Sequence, residues 1–179
     1  ANAIGLDFDG NLLISSRHLD EVTKINRQTG AIIWRWGGKR NQFTFIGDNR
    51  RFSHLHDIRL LPNGHYTLYD NGNGLMPEYS RALEYVLDQT NKTATLVWEY
   101  RNTPDVFAWG MGNVQRLPNG NTMIGWGATV PTLTEVTPDG RKAFELTMDT
   151  MHQSYRAFRF VWEGRPSWPP TLVAVRESG

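Results

Sequence analysis

Arg59-Leu60-Leu61-Pro62-Asn63-Gly64 and Arg116-Leu117-Pro118-Asn119-Gly120 decide the fold, because in each a tight turn is followed by an apolar strand. Asn-Gly pairs between apolar runs are the strongest short-range signal of a β-hairpin, since these residues accept positive φ at little cost. Aligning the turn glycines adds Gly10 before them and Gly164 after them, which gives four units spaced by 54, 56 and 44 residues. Periods near 50 residues predict a repeat architecture.

Each of the first three units divides into four short apolar strands separated by turns that contain Gly, Asn or Asp. Four-stranded antiparallel blades around a central channel fit this period and this composition best. We therefore predict an all-β fold in which the chain is a single, partial β-propeller domain (1–179) of about three and a half blades. The predicted repeat units are about 1–37, 53–102, 110–149 and 153–179.

The fourth unit is predicted to begin with a strand at 155–160 and to return through 171–175, which leaves room for only two of its four strands. Three blades and a fraction do not close a ring, and an open propeller exposes unpaired strand edges. We expect the remaining blades to come from a missing N-terminal half, a second polypeptide or a second copy of this chain.

An aromatic residue recurs at the same point of the last strand in each of the first three units, at Trp34, Trp98 and Phe144. The period-2 alternation of a strand places such a ring on a buried face between neighbouring blades. We predict that all three rings belong to the core.

Charge and composition exclude several classes of function. The net charge is +1, from 19 basic and 18 acidic residues, so no global field favours nucleic acid or an anionic membrane. We predict that the segment 37–52 is a long loop. Its basic pairs, Lys39-Arg40 and Arg50-Arg51, are then expected to be solvated rather than to bind a polyanion. The absence of Cys excludes disulfides and thiolate catalysis, and no stretch approaches the roughly 18 apolar residues of a membrane helix.

The repeat alignment brings polar residues to one mouth of the predicted channel, because equivalent positions of successive blades lie on the same ring. Imidazole and guanidinium groups gathered there suit a small anion such as a sulfuryl, phosphoryl or carboxylate group. Structural polar residues at blade ends are an equal alternative. Counting eight residues back from each turn glycine gives Asn2, His56, Gly112 and Arg156, and counting seven forward gives Arg17, Asn71 and Gly127.

Three other histidines are candidates for the channel mouth, and the sequence favours some of them more than others. His54 shares a face with His56 on a regular strand, which makes it a candidate second imidazole of the channel. No third ligand is evident at local spacing, so we predict no metal site, and we expect no cofactor. His18 follows Arg17 and points away from it on a regular strand, which favours a structural hydrogen bond. His152, in the loop before the fourth unit, is a weaker candidate for the channel mouth.

Several runs of the sequence resemble one known family. Phe52-Ser53-His54-Leu55-His56-Asp57 and Tyr69-Asp70-Asn71-Gly72 are similar to the segment of arylsulfate sulfotransferases that carries their catalytic histidine. Ile14-Ser15-Ser16-Arg17-His18 and Ser154-Tyr155-Arg156-Ala157 also resemble that family, and the resemblance runs through nearly the whole chain. It implies a six-bladed propeller with the active site in the central channel, in agreement with the repeat pattern.

The resemblance also implies roles for individual residues. His56 matches the nucleophile, which in the family takes a sulfuryl group from a phenolic sulfate ester and passes it to another phenol through a sulfohistidine. Arg17 matches the arginine that binds sulfuryl oxygens, and Asn2 matches the asparagine of a His-x-Asn motif whose histidine would precede the first residue. A neutral imidazole is a competent nucleophile, and guanidinium and amide donors stabilise charge on the oxygens. The further residues predicted to bind substrate are His54, Asn71 and Arg156.

Two functions from different classes remain. In the first, the chain is an arylsulfotransferase-like enzyme or part of one, which acts on small-molecule aryl sulfates and phenols in a site completed by blades from elsewhere. In the second, it is a non-catalytic propeller module for binding or assembly within a larger complex. The presence of His56 and Arg17 in register favours the enzyme. The resemblance further implies a periplasmic or secreted location.

Overall fold

The chain is all-β in this computed structural model, which describes residues 1–149 and 151–165. Thirteen strands form three sheets, and the one helix in the described ranges is a short 3-10 turn at Arg17–Leu19. That part of the chain has no helix long and apolar enough to span a membrane. Four-stranded antiparallel meanders of this kind are the blades of propellers. The predicted all-β fold of four-stranded antiparallel sheets is confirmed, and the closure of a ring stays a prediction.

Strands pair in chain order within each sheet, with one exception described below. The first sheet contains β1 (Ala3–Leu6), β2 (Leu12–Ser16), β3 (Glu21–Ile25) and β4 (Ile32–Gly37). The second contains β5 (Thr44–Ile46), β6 (His56–Leu60), β7 (Tyr66–Asp70), β8 (Arg81–Asp88) and β9 (Thr93–Arg101). The third contains β10 (Asn113–Arg116), β11 (Thr122–Gly125), β12 (Leu133–Val136) and β13 (Lys142–Leu146).

The segment 37–52, predicted as a loop, contains the exception. Strand β5 pairs in parallel with β9 and adds a fifth strand to the outer edge of the second sheet. Phe43 and Phe52, on either side of β5, are buried against the core, so apolar burial holds this segment in place. The prediction is wrong here because a three-residue strand is too short to leave a period-2 pattern.

Two hydrophobic clusters join the sheets. In the cluster between the first and second sheets, the ring centroid of Trp36 lies 5.0 Å from those of Phe52 and Tyr85. In the cluster between the second and third sheets, the rings of Tyr69 and Trp126 lie 6.0 Å apart. Strand β1 contacts β6, and β10 contacts β6 and β7. The first strands of neighbouring sheets are therefore adjacent, as the inner strands of propeller blades are.

The recurring aromatic residues differ in burial from one sheet to the next. Trp34 is 1% exposed and belongs to the core, as predicted, and Trp98 is half-buried against the second cluster. Phe144 is 51% exposed, so the prediction is wrong at this position. The physical reason is that no further sheet in the described ranges covers the face of the third sheet that carries this ring.

The segment 155–160 lies beside β10 but forms no strand. The side-chain amide of Asn113 bonds both backbone groups of Ala157, with its Oδ1 accepting from N at 2.8 Å and its Nδ2 donating to O at 2.7 Å. Gln115 bonds Arg159 in the same way, at 2.8 and 3.1 Å. Side-chain amides thus make most of the hydrogen bonds here, beside one backbone bond from the N–H of Gly112 to the carbonyl of Tyr155 at 3.1 Å. The predicted return strand at 171–175 lies outside the described residues, and the boundaries of the four predicted units stay predictions.

Candidate active site

His56 is the first residue of β6, at the end of the strand nearest the third sheet's loops, and it is only 4% exposed. Its partner in β7 is Tyr69, and the pairing is irregular between His56 and Arg59. Asp57 adopts a left-handed conformation with φ of 57° at this irregularity. Such a break in the ladder re-aims side chains at sheet edges and near active sites. It places the imidazole against the segment that precedes β10.

Hydrogen bonds fix the tautomer of His56. The Nδ2 of Asn71 donates to the carbonyls of Ala108 at 2.9 Å and Met111 at 3.0 Å, so its Oδ1 is the atom that faces the imidazole. The Nδ1 of His56 lies 2.6 Å from that Oδ1 and 3.1 Å from the carbonyl of His54. Two acceptors on one side require the proton on Nδ1. Nε2 therefore keeps its lone pair, and only a long 3.3 Å hydrogen bond from the backbone N–H of Met111 reaches it.

The surroundings of His56 also keep the ring neutral. Burial lowers its pKa from the ordinary value of 6.5, and the positive charges of Arg17 and Arg156 lower it further. The hydrogen bonds of Nδ1 to Asn71 and to the His54 carbonyl raise the pKa, but less than burial lowers it. At neutral pH, the side chain is an uncharged imidazole whose Nε2 is a nucleophile.

Arg17 provides cationic donors at the same place. It follows β2 directly, at the start of the 3-10 turn Arg17–Leu19. Its Nη2 donates to the carbonyl of Trp109, and its Nη1 lies 2.9 Å from the Nε2 of His18. The Nε–H is buried and has no hydrogen-bond partner in the structure. A buried guanidinium donor without a partner is costly, and the Nε atoms of Arg50 and Arg156 are also buried without one.

Arg156 comes from the segment beside β10 and reaches both of the other sheets. Its Nη2 donates to the backbone carbonyl of Asn2, and its Nε lies 3.6 Å from the Oδ1 of Asp57. That carboxylate is fully buried, and it accepts two hydrogen bonds from Arg59 through the same oxygen. Arg156 therefore adds positive charge beside His56 and joins the ends of the chain's three sheets.

Asn2 lies at the site, but its amide is engaged in structural contacts. Its Nδ2 donates to the carbonyl of Leu55 at 2.7 Å, and its Oδ1 accepts from the Oγ of Ser15 at 2.5 Å. These bonds link the first sheet to the residue that precedes His56. One hydrogen of Nδ2 and one lone pair of Oδ1 are left to contact a ligand.

A cavity of about 310 Å3 brings three of the predicted residues together. Its volume is at the lower end of the range for small-molecule sites. His56 and Arg17 both line this cavity, and an imidazole with an unprotonated nitrogen beside a guanidinium suits an electrophile that carries negatively charged oxygens. The wall consists of Ala1, Asn2, Ser16, Arg17, His18, Leu19, His56 and Tyr155.

The remaining predicted residues lie around this cavity rather than in its wall. Asn71 lies behind the imidazole, as described, and Arg156 lies beside it. His54 precedes β6 and has a left-handed backbone with φ of 56°, so the expectation that it shares a strand face with His56 is wrong. Its Nδ1 contacts the Oγ of Ser53 at 2.9 Å. A role for His54 in binding substrate stays a prediction.

Two other histidines are placed more clearly. His18 lies in the 3-10 turn rather than on a regular strand, so its ring lines the cavity and contacts Arg17, as the 2.9 Å distance above shows. The ring of His152 is exposed, and its Nδ1 lies 2.7 Å from the Oδ1 of Asp149. His152 is absent from the cavity wall. Within residues 1–149 and 151–165, no group of three or more His, Asp or Glu side chains has the geometry to hold a metal ion.

Sequence reasoning missed two parts of the site. The ring of Tyr155 lies 6.3 Å from that of His56 in an edge-to-face arrangement and forms one wall of the cavity. The sequence did offer a signal for Tyr155, because it precedes Arg156 in the run Ser154-Tyr155-Arg156-Ala157, which resembles the family. The second part is the backbone N–H of Met111, which approaches Nε2 of His56. Its only signal was Gly112, which the repeat alignment placed on the same ring.

Fold and site together define a class: an all-β protein of blade-like sheets, with a buried neutral histidine and an arginine at a small cavity. The family model described as Arylsulfotransferase (ASST) matches residues 1–159, and the chain belongs to this family. The fold is also similar to a crystal structure of a protein of unknown function from Bacteroides caccae, with a TM-score of 0.53 and 16% sequence identity. The match covers 81% of this chain and 48% of that one, so the chain spans about half its length. No curated protein matches the chain.

Proposed function

We propose that His56 is the sulfuryl acceptor of an arylsulfotransferase and that this chain supplies its nucleophilic side. The supporting observation is the buried, neutral imidazole of His56, whose unprotonated nitrogen is Nε2, in the wall of the same cavity as Arg17. Family membership supports an aryl sulfate as the donor. The propeller with six blades and the periplasmic or secreted location belong to the same proposal.

The first half of the reaction transfers the sulfuryl group to the histidine. Nε2 of His56 attacks sulfur, an N–S bond forms, and the S–O bond to the aryl group breaks. The electron pair of that bond leaves with the phenolate, which takes its proton from solvent. Arg17 stabilises negative charge on the non-bridging oxygens, a contribution that in other enzymes accounts for factors of about 10² to 10³ in rate.

Asn71 has a separate task during this step. The imidazole becomes positively charged when Nε2 is sulfurylated, because Nδ1 keeps its proton. The Oδ1 of Asn71, 2.6 Å away, accepts a hydrogen bond from that N–H in both states. An amide oxygen orients the ring without the strong rise in pKa that a carboxylate causes, so the free imidazole stays neutral and nucleophilic.

The second half of the reaction returns the sulfuryl group to a phenol. The acceptor loses its proton to water, its oxygen attacks sulfur, and the N–S bond breaks. The electron pair returns to Nε2, which restores the starting tautomer. Donor and acceptor exchange one sulfuryl group, so no nucleotide or metal ion enters the balance. The ring of Tyr155 forms an apolar wall against which an aryl group packs.

A second function is supported by the contacts of Asn2. Both ends of its amide make structural hydrogen bonds, so Asn2 has a role in holding the fold that does not depend on catalysis. In this case, the chain is a binding or assembly module of a larger complex. The chain covers about half of the similar structure from Bacteroides caccae. For an enzyme and for a binding module alike, this agrees with further blades contributed from elsewhere.

The test incubates the purified chain with 4-nitrophenyl sulfate and phenol and follows nitrophenolate release, with intact mass measured in parallel. We expect release and a sulfuryl adduct in the unaltered chain, and neither in His56→Ala. His152→Ala removes an exposed imidazole outside the cavity and is the matched control, which keeps both signals. A folded chain that gives neither release nor adduct would overturn the transfer proposal for this chain, and tight sulfate binding under those conditions would support the binding module.

A further inference from the structure

A second cavity, of about 480 Å3, adjoins the His56 cavity and shares His18 and Leu19 with it. It lies where the 3-10 turn meets the loop after β4. The rest of its wall is strongly charged, with three basic and two acidic side chains. These residues are Asp20, Glu21, Arg35, Lys39 and Arg40.

The two acidic side chains are already used by the protein. The Oε1 of Glu21, which is buried, accepts from Arg35 at 2.5 Å and from the hydroxyl of Thr23 at 2.6 Å. The Oδ1 of Asp20 accepts from the backbone N–H of His54 at 2.5 Å. Glu21 is therefore paired with one of the three cations, whereas Asp20 keeps its negative charge on this wall.

Lys39 and Arg40 differ from these two acidic residues in having no such partner. Neither forms an ion pair with another residue that the structure describes. Their side chains are exposed at the cavity. Two positive charges that the protein itself does not neutralise therefore face this space. From the sequence, we predicted that Lys39 and Arg40 are solvated loop residues, and we predicted no cavity beside them.

The loop that carries the two cations is tightly seated. Gly37 and Gly38 both have positive φ, of 82° and 65°. A Cβ atom on Gly38 would lie 2.2 Å from the carbonyl oxygen of Leu19, which no side chain tolerates. The backbone N–H of Gly37 donates to Asn41 at 2.9 Å, which closes the loop. The cations thus extend from a fixed backbone beside the turn that carries Arg17.

We propose that this cavity binds a second anionic group, such as a carboxylate, on the aromatic substrate whose phenolic oxygen reacts at His56. The ligand class rests on the proposed function, and its place rests on the position of the two cavities, which adjoin at His18 and Leu19. Charge-assisted hydrogen bonds to Lys39 and Arg40 select the anionic substituent. The preference falls with ionic strength, because both cations are exposed.

The test compares 3-(4-hydroxyphenyl)propionate with its neutral amide, which has nearly the same size and shape. Binding of each to the chain is measured by calorimetry without any donor, and each then serves as acceptor with 4-nitrophenyl sulfate. We expect the carboxylate to bind about tenfold more tightly than the amide. Sulfate esters of the same two compounds, used as donors, show whether the donor or the acceptor carries the anionic group.

The double variant Lys39→Gln, Arg40→Gln removes both charges from an exposed loop, and thermal unfolding confirms that it folds. We expect it to bind the two compounds equally and to transfer to unsubstituted phenol as well as the unaltered chain does. Arg27→Gln is the matched control, because it removes an exposed cation from the opposite end of the first sheet.

Equal binding of carboxylate and amide by the unaltered chain overturns the proposal. So does a preference that survives in the double variant. Calorimetric preference that disappears in the double variant supports the proposal even where no transfer occurs. In that result, the transfer function fails and the anion-binding cavity stands, so the two proposals are separated.

Discussion

The Nδ1 of His56 and the Oδ1 of Asn71 lie 2.6 Å apart. His56 begins β6, and Asn71 follows the last residue of β7, 15 positions later in the chain. Because the amide of Asn71 is itself held by two backbone carbonyls, its orientation is fixed before any ligand arrives. The pair therefore determines which nitrogen of the imidazole faces the cavity. This relationship leads to the first prediction.

Asn71→Asp places a carboxylate where a neutral amide oxygen now accepts from His56. An opposite charge at this distance raises the pKa of the imidazole by about one to three pH units, which protonates Nε2 near neutral pH. We expect the acidic limb of the pH profile of kcat/KM to move to higher pH by at least one unit. Nitrophenolate release between pH 5 and pH 9 measures it, and an unshifted limb would contradict the assigned tautomer.

The burial of neutral His56 predicts how stability depends on pH. Its pKa is lowered in the folded state, so the unfolded chain binds more protons and stability is lost as pH falls below 6.5. His56→Gln removes this contribution. We expect the difference in free energy of unfolding between the unaltered chain and His56→Gln to shrink or reverse between pH 7.5 and pH 5. Urea unfolding at both pH values checks this, and a difference independent of pH would argue against a buried neutral ring.

Arg17→Lys keeps a positive charge but removes the unpartnered Nε–H and the planar fork of donors. We expect kcat/KM for 4-nitrophenyl sulfate to fall about 10²-fold, since loss of one preorganised donor to a developing charge has this size of effect. Arg141→Gln, at an exposed turn, is the control and leaves the rate unchanged. A decrease of less than threefold in Arg17→Lys would show that this arginine does not contact the sulfuryl oxygens.

Gly112→Ala tests the backbone next to the site. A Cβ atom at this position would lie 2.4 Å from the ring of Tyr69, and the φ of Gly112 is 107°. Gly64→Ala is the matched control, because its φ is also positive, at 82°, and its Cβ would meet nothing within 4 Å. We expect Gly112→Ala to lose about 1–3 kcal/mol more stability than Gly64→Ala, since only it overpacks the core. Chemical denaturation measures both, and equal losses would mean that the ring moves aside freely.

The repeat of turn glycines was sufficient to predict four-stranded antiparallel sheets and to bring three residues of the cavity wall to one place: Asn2, Arg17 and His56. Local turn chemistry and period-2 strands are encoded in neighbouring residues, so they can be read from the chain alone. The same alignment placed Asn2, Arg17, His56 and Asn71 near one mouth, and the structure brings these four together. Their assigned roles in catalysis and binding stay predictions.

What the sequence did not predict depends on contacts between distant segments. His54 was expected on a regular strand, and its left-handed backbone follows from the hydrogen bond of its N–H to Asp20, 34 residues earlier. The exposure of Phe144 depends on what covers the third sheet. The approach of the Met111 N–H to His56 is a backbone contact, and its only signal in the sequence was the neighbouring Gly112. Each of these features arises from tertiary packing rather than local propensity.

The attachment of the segment 155–160 through Asn113 and Gln115 has a consequence for how such a site changes over evolutionary time. A backbone ladder is nearly indifferent to which residues form it, whereas this attachment has one backbone hydrogen bond, from Gly112 to Tyr155, and otherwise depends on two side-chain amides. A single substitution at Asn113 or Gln115 can loosen the segment at Ala157 or Arg159 while the three sheets keep their register. The cavity wall beside His56 can therefore diverge in evolution while the three sheets are conserved.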